Sequence, residues 1–599
     1  MKDAREGLDN EIQDSEGRFD PVWLGSCVLI TAVATVLRFV FLELKPLHHD
    51  EGVNGWFLTN LFRDGVYKYD PANYHGPTLY YIALAFVEAF GLNTWTIRSS
   101  VAIWGVLTVV LAFFLRRYIG KTGSLFAALF LALSPGLAFI SRYFIHEIFF
   151  VFLSLAIVLS IVSFIEKRRA GPFATGWLVL ILLVCFLPST LNLAAAIAEP
   201  QSTAIWVWRV VFFIIEAALV FFVIRMILGW NEGRPVYFLL ASACAALLFA
   251  TKETAFITLG TMLIACGCVW AWRRIYKKRL ETDDDEIDDR DLAWRNFSEA
   301  FGSRADGSLL IAAAALIFVY ISILFFSSFF TYADGIKGAI EAYTIWSKTG
   351  SKDHTQNGMW AYLKWGMRIE APIMILSAVG AVIALLKARH RFAIFTAFWA
   401  WGIFAAYSLI PYKTPWLALS FLLPMCIIAG YAINELVTSK EQSAKAAGFA
   451  LAIAASVVLA YQTYQINFIR YDDEDMPYVY AHTRREFLDM MAEIDRFAEK
   501  SGKGKDAKIQ IVSPDYWPMV WYTRDYPNAV FHGRIADADG AEMIVAKKVD
   551  QDAEVMRRYA SGYEYIGSYA LRPGVDLVLL VRRDLAGGEG KELYRMQEK

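Results

Sequence analysis

Long apolar runs dominate the first three quarters of the chain. A helix needs roughly 20 consecutive apolar residues to cross a bilayer. Runs of about this length recur between short polar segments, which predicts an all-α polytopic membrane protein with about thirteen spans. The spans are predicted at residues 22–44, 99–115, 124–140, 148–165, 175–195, 205–228, 236–250, 255–272, 308–329, 372–386, 393–410, 416–434 and 446–464.

Lys and Arg residues indicate the orientation of these spans. They cluster in every second loop, for example at 116–121, 167–169, 273–279 and 387–391. Cytoplasmic loops carry such an excess of positive charge. We therefore predict a cytoplasmic N-terminal tail at 1–21, without a cleavable signal peptide, in a protein of the cell membrane. The outer loops are then 45–97, 141–147, 196–204, 251–254, 330–371 and 411–415.

The apolar run at 78–91 is too short for an ordinary span. Its length of about 14 residues is typical of interfacial or re-entrant segments. Counting it as a span would place Arg116 and Arg117 outside, against the positive-inside rule. We predict a juxtamembrane helix here.

The pattern changes after residue 464. Short strand-like stretches at 509–512, 529–532, 542–545 and 575–581 alternate with helix-like segments such as 550–559. This alternation predicts an extracytoplasmic α/β domain over 465–599, attached to a transmembrane domain over 22–464.

Composition agrees with a membrane protein. Hydrophobic residues make up 57% of the chain and charged residues 20%, against about 45–50% and 25% in soluble proteins. A soluble enzyme is excluded. The net charge of -1 gives no indication of a nucleic-acid partner, which would need a concentrated basic face.

The predicted outer loops carry ionisable and aromatic residues next to the span ends. Such groups are costly in a membrane unless they face a cavity or one another. We therefore predict one site on the outer face. The candidates are His49, Asp50, Glu51, Tyr74, His75, Arg142, Glu147, Lys252, Glu253, Tyr412 and Lys413.

Carboxylates beside cations, outside the membrane, suit group transfer from a substrate that arrives in the lipid. A carboxylate can deprotonate an acceptor hydroxyl, and Arg or Lys can neutralise a departing phosphate. A lipid-linked phosphosugar fits this chemistry.

Four motifs carry a resemblance to a known group. They are His-x-Asp-Glu at 48–51, Tyr-His-Gly-Pro-x-Leu-Tyr-Tyr at 74–81, Ser-Arg-Tyr-x-Ile-x-Glu at 141–147 and the run at 513–522. In this order the chain resembles the GT-C superfamily of polyprenyl-phosphate-dependent glycosyltransferases, which includes protein O-mannosyltransferases and aminoarabinose transferases. It is most similar to a prokaryotic family labelled flippase-activity-associated.

The resemblance implies transfer of a sugar, with inversion, from a polyprenyl-phosphate donor to an acceptor on the outer face. The catalytic base falls on Asp50, with Glu51 as its neighbour or substitute. Glu147 stands where relatives have Asp, so a catalytic and an orienting or metal-binding role both stay open. The residues that hold the lipid phosphate fall on Arg142 and Lys252.

Three questions stay open on the sequence alone. His48 and His49 could join the carboxylates as ligands of a divalent ion, but two adjacent side chains need not converge, so no metal is predicted. A flippase for a lipid-linked glycan, or a non-catalytic subunit of a glycan assembly complex, would use the same residues differently. The sugar and the acceptor, whether protein, lipid or polysaccharide, are not specified.

Overall fold

The structure is a computed structural model that describes residues 20–73, 75–199, 202–276, 287–350 and 358–591. Up to residue 469 the described elements are helical. They are α1 Pro21–Phe39, α2 His49–Asp64, α3 Thr78–Phe90, α4 Thr94–Phe113, α5 Arg116–Ile119, α6 Lys121–Leu133, α7 Pro135–Ile140, α8 Glu147–Ile165, α9 Pro172–Ile197, α10 Thr203–Gly229, α11 Pro235–Phe249, α12 Ala255–Ile275, α13 Trp294–Ala300, α14 Arg304–Phe326, α15 Asp334–Gly350, α16 Ala361–Ile369, α17 Ala371–Lys387, α18 Arg391–Leu409, α19 Leu419–Val437 and α20 Gln442–Tyr464, with a π-helical turn at Gln465–Ile469.

The helices confirm a polytopic membrane protein. Within the described ranges, nine are long and apolar enough to cross a bilayer, or ten if α16 and α17, bent by 109°, form one span. The remaining predicted runs are also helical: α11 has only 15 residues, and the long helix α9 contains Pro188. The run at 124–140 is divided into α6 and α7, because Pro135 lacks an N–H and Ser134 before it is extended.

The short run after residue 77 forms α3, which has 13 residues. Gly76 allows the loop before it to approach the loop after α11 closely. A Cβ on Gly76 would lie 1.9 Å from the carbonyl oxygen of Ala250, and Gly76 N–H donates to the carbonyl of Thr251 at 3.1 Å. Only glycine permits this contact. The position of α3 at the membrane surface stays a prediction.

A five-stranded mixed sheet follows the helical part. Its strands are β1 Ile509–Ile511, β2 Ala529–Phe531, β3 Met543–Lys547, β4 Tyr563–Arg572 and β5 Val575–Arg582, in the order β2-β1-β3-β5-β4. β1 is parallel to β2 and β3, while β5 is antiparallel to β3 and β4. The accompanying helices are α21 Glu486–Lys500, α22 Met519–Tyr522, α23 Asp552–Tyr559 and α24 Arg583–Ala586. The predicted strands are present, and β4 is an additional strand.

The segment around α22 docks on α2. Two glycines of α2 leave room for it, since a Cβ on Gly52 would lie 2.6 Å from Cβ of Pro518 and one on Gly55 would lie 2.6 Å from Cε3 of Trp521. The Tyr522 hydroxyl accepts a hydrogen bond of 2.9 Å from the backbone N–H of Leu47. The C-terminal domain is therefore packed against the helix that begins beside Asp50.

The predicted orientation can be tested by cysteine labelling. A cysteine replacing the exposed Ser298 lies on the predicted cytoplasmic side, whereas one replacing the exposed Asp506 lies on the predicted outer side. We expect a membrane-impermeant thiol reagent added to intact cells to label Asp506→Cys and not Ser298→Cys, with the reverse ratio in inverted vesicles. Labelling of Ser298→Cys in intact cells would contradict the topology and the outer-face site.

Candidate functional site

A cavity of about 240 Å³ lies where several loops meet the helix ends. Its wall includes the first turn of α2, the loops before α3, α8 and α12, a side chain of α15 and the segment between α18 and α19. The predicted site residues that line it are His49, Asp50, His75, Glu147, Lys252, Glu253 and Tyr412. Five separate loops or helix ends thus bring these side chains together.

Asp50 occupies the first turn of α2. His48 is the N-cap of this helix, and its Nδ1 accepts from the Asp50 backbone N–H at 3.1 Å. The Asp50 side chain is 41% exposed, and its Oδ2 lies 4.0 Å from Nδ1 of His48. Asp50 is thus a carboxylate that a ligand in the cavity can reach.

Glu51 has the opposite environment. Its carboxylate is fully buried and forms two hydrogen bonds with the guanidinium of Arg98, at 2.8 and 2.7 Å. Burial favours the protonated acid, but Arg98 holds the pKa of Glu51 below its ordinary value. Glu51 does not line the cavity, and we revise its role from catalytic neighbour of Asp50 to structural anchor.

Arg98 is a site-supporting residue that the sequence analysis missed. It lies on α4, and its guanidinium also donates to the carbonyls of Leu42, Lys45 and Pro46 at 2.6, 3.0 and 3.1 Å. Its position at the start of an apolar run looks like that of an ordinary span-end arginine.

Glu147 and Lys252 form a second ion pair inside the cavity wall. The Lys252 ammonium contacts Oε1 of Glu147, and both side chains are over nine-tenths buried. Burial opposes the charge on Lys252, but the carboxylates of Glu147 and Glu253 raise the pKa of Lys252 above its ordinary value. The carboxylates therefore favour the charged form of Lys252, which lines the cavity.

Two histidines complete this part of the wall. Nδ1 of His75 lies 3.0 Å from Oε2 of Glu253. His146, which the sequence analysis did not select, is buried and its Nε2 lies 3.1 Å from the carbonyl oxygen of Gly76. Burial lowers the pKa of His146, so it is neutral. The rings of His75 and His146 are 5.0 Å apart.

Two further predicted residues, Arg142 and Lys413, do not line the cavity. Arg142 donates to the carbonyls of Leu37, Val40 and Phe41 at 3.0, 2.7 and 2.8 Å, which stabilises the end of α1, because a cation there offsets the helix dipole. Lys413 is 2% exposed, and its ammonium contacts the carbonyl of Ile410. Tyr74 lies outside the described residues. We therefore leave Arg142 and Lys413 out of the direct contacts proposed below.

In the described ranges, no group of three or more His, Cys, Asp or Glu side chains is arranged to hold a metal ion. The two adjacent histidines diverge. Nε2 of His48 lies 2.9 Å from the carbonyl oxygen of Tyr480, whereas Nδ1 of His49 lies 3.3 Å from Nη1 of Arg572.

Part of the chain matches a known protein family. Residues 49–194 match the family described as dolichyl-phosphate-mannose-protein mannosyltransferase. The matched segment begins beside Asp50 and includes Glu147. No curated protein matches the sequence.

Solved structures give the fold. ArnT from Cupriavidus metallidurans in the apo state has a TM-score of 0.54 at 14% identity, over 93% of this chain and 98% of ArnT. ArnT bound to undecaprenyl phosphate has a TM-score of 0.53 at 14% identity, over 95% and 99%. The chain has the GT-C fold. An oligosaccharyltransferase from Archaeoglobus fulgidus has a TM-score of 0.46 at 12% identity, over 92% of this chain and 74% of that one.

The GT-C resemblance drawn from the outer-loop motifs is thereby confirmed. The cavity is lined by one open carboxylate, the buried Lys252–Glu147 ion pair and one histidine–carboxylate pair. Such a set can accept a proton and bind an anion in the same small volume.

Substitution of Glu51 should show how much the buried Glu51–Arg98 ion pair contributes to stability. Glu51→Gln leaves the Arg98 charge buried without its partner, and breaking a buried pair in this way costs about 3–5 kcal/mol. We expect a clear fall in the thermal unfolding temperature of the purified protein. Asp50→Asn, at the neighbouring exposed position, is the matched control and should cost less than about 1 kcal/mol. Equal unfolding temperatures for the two variants would contradict the anchoring role.

Proposed function

We propose that the protein is a membrane glycosyltransferase that moves a sugar from a polyprenyl-phosphate donor to an acceptor hydroxyl on the outer face. The observation that carries this proposal is the shared cavity of Asp50, which is open, and Lys252, which stays charged. The matched family and the undecaprenyl-phosphate complex of ArnT support the same chemistry.

The proposed reaction is a single displacement. The acceptor oxygen forms a bond to the anomeric carbon while the bond from that carbon to the phosphate oxygen breaks. The acceptor proton passes to Asp50, and the prenyl phosphate leaves with its negative charge stabilised by Lys252. A single displacement inverts the anomeric configuration.

Glu147 fits an orienting role in this scheme. Its carboxylate is already engaged by the Lys252 ammonium, and a buried charge needs its partner. We propose that Glu147 holds Lys252 in place rather than accepting the proton. His75, held by Glu253, and Tyr412 are proposed to bind substrate polar groups from the opposite parts of the wall.

Sugar transfer by purified protein tests this function. Wild type, reconstituted in lipid, is assayed with a panel of radiolabelled polyprenyl-phosphate monosaccharides and crude envelope acceptors. Asp50→Asn removes the base and should lower turnover by about 10²- to 10⁴-fold while donor binding persists. Asp64→Asn, at the exposed far end of α2, is the control and should match wild type.

Each other outcome changes the proposal. If no donor is turned over, a flippase or a non-catalytic subunit replaces the enzyme. If Asp50→Asn keeps wild-type turnover, the enzyme stands and Asp50 is not its base.

A further inference from the structure

The outer domain reaches the cavity wall through one arginine. Arg572, at the end of β4, lies with Nη1 3.3 Å from Nδ1 of His49. Its Nη2 contacts Oδ1 of Asp515, whose other oxygen lies 3.0 Å from the ammonium of Lys547. The Trp517 ring lies 6.2 Å from the His49 ring. His49 is therefore held between the helical domain and the outer sheet.

The chemistry of this contact defines the protonation of His49. A guanidinium has only donors and stays charged. Nδ1 of His49 must then offer its lone pair, and the proton of a neutral ring must be on Nε2. A doubly protonated His49 would direct an N–H at the cation. In the described part of the chain no other hydrogen bond to this ring is found, so Nε2–H remains for a ligand.

The surrounding charges agree with a neutral ring. Burial is the largest effect and lowers the pKa of His49; Arg572 and His48 act in the same direction, and Asp50 and Asp515 act against them. These groups include both chain neighbours of His49 and the facing residues Arg572 and Asp515 of the outer domain.

We propose that Arg572, held by Asp515, fixes His49 as its neutral Nε2–H tautomer and so provides a hydrogen-bond donor for a substrate oxygen beside Asp50. This inference rests on the proposed function. Arg572 is a positioning residue, since it acts through His49. Because the donor is uncharged, it binds a sugar hydroxyl, acceptor hydroxyl or phosphate oxygen without forming an ion pair with Asp50. Docking of the outer domain is thereby coupled to the tautomer of His49.

Histidine NMR tests the tautomer without any substrate. The full chain is labelled with ¹³C,¹⁵N-histidine and reconstituted in lipid for solid-state spectra. The chain has 8 histidines, and the His49 signals are those lost in His49→Gln. We expect a neutral, Nε2-protonated ring in wild type across about pH 5.5 to 8, which brackets the ordinary histidine pKa near 6.5.

Variants at position 572 test whether Arg572 fixes the tautomer of His49. In Arg572→Gln the His49 ring should take up its second proton at a higher pH than in wild type, because the Arg572 charge no longer opposes that proton, although burial still lowers the pKa of His49. Arg572→Lys keeps a cationic donor and should retain the wild-type tautomer. Arg557→Gln removes an exposed arginine that pairs only with Glu554 among described side chains, and it should give the wild-type spectrum. A wild-type His49 that is doubly protonated or Nδ1-protonated at pH 7 would overturn the proposal.

The pH dependence of sugar transfer provides a separate readout. Arg572→Gln should lose activity selectively at acidic pH, because a His49 cation would pair with Asp50. In a His49→Gln background the same change should leave the pH profile unaltered. An unchanged pH profile in Arg572→Gln would overturn the proposed contribution of Arg572 to the site. If no donor is turned over, the proposed function is contradicted, but the NMR result on the His49 tautomer still stands.

Discussion

The buried pair of Glu51 and Arg98 is the interaction on which the site depends. One Glu51 oxygen accepts from the His48 backbone N–H at 2.9 Å, and the other accepts from the Phe144 N–H at 2.9 Å. The same carboxylate therefore joins the first turn of α2, the loop that leads to Glu147, and α4. A charge this deep is stable only when it is fully paired. The orientation of Asp50 at the cavity follows from this arrangement.

The C-terminal domain adds a second constraint. It packs against α2 through Pro518 and Trp521, where only glycine fits on the helix, and it reaches His49 through Arg572. The helix that presents Asp50 is thus held by the Glu51–Arg98 ion pair and by close packing against the C-terminal domain. The C-terminal domain thus contacts residues of the cavity wall, and the lining residues themselves come from the helical part.

Helices, strands and candidate site residues could be predicted from the sequence better than tertiary contacts. Apolar runs and strand-like stretches located the spans and most of the sheet, because burial imposes those patterns locally. β4 was missed, since YEYIGSYALR mixes aromatic, polar and small residues. Seven predicted site residues line the cavity. The partner of Glu51, 47 positions away, and the roles of Arg142 and Arg572 depend on tertiary packing, which no local pattern encodes.

Direct observation of the lipid carrier tests the central claim, that the cavity beside Asp50 and Lys252 receives a polyprenyl phosphate. Cryo-electron microscopy of the protein in nanodiscs with undecaprenyl phosphate would locate the phosphate. The account predicts phosphate density within hydrogen-bond reach of the Lys252 ammonium, with the prenyl chain leaving towards the bilayer. Phosphate density on the opposite face, or an empty cavity at saturating ligand, would contradict it.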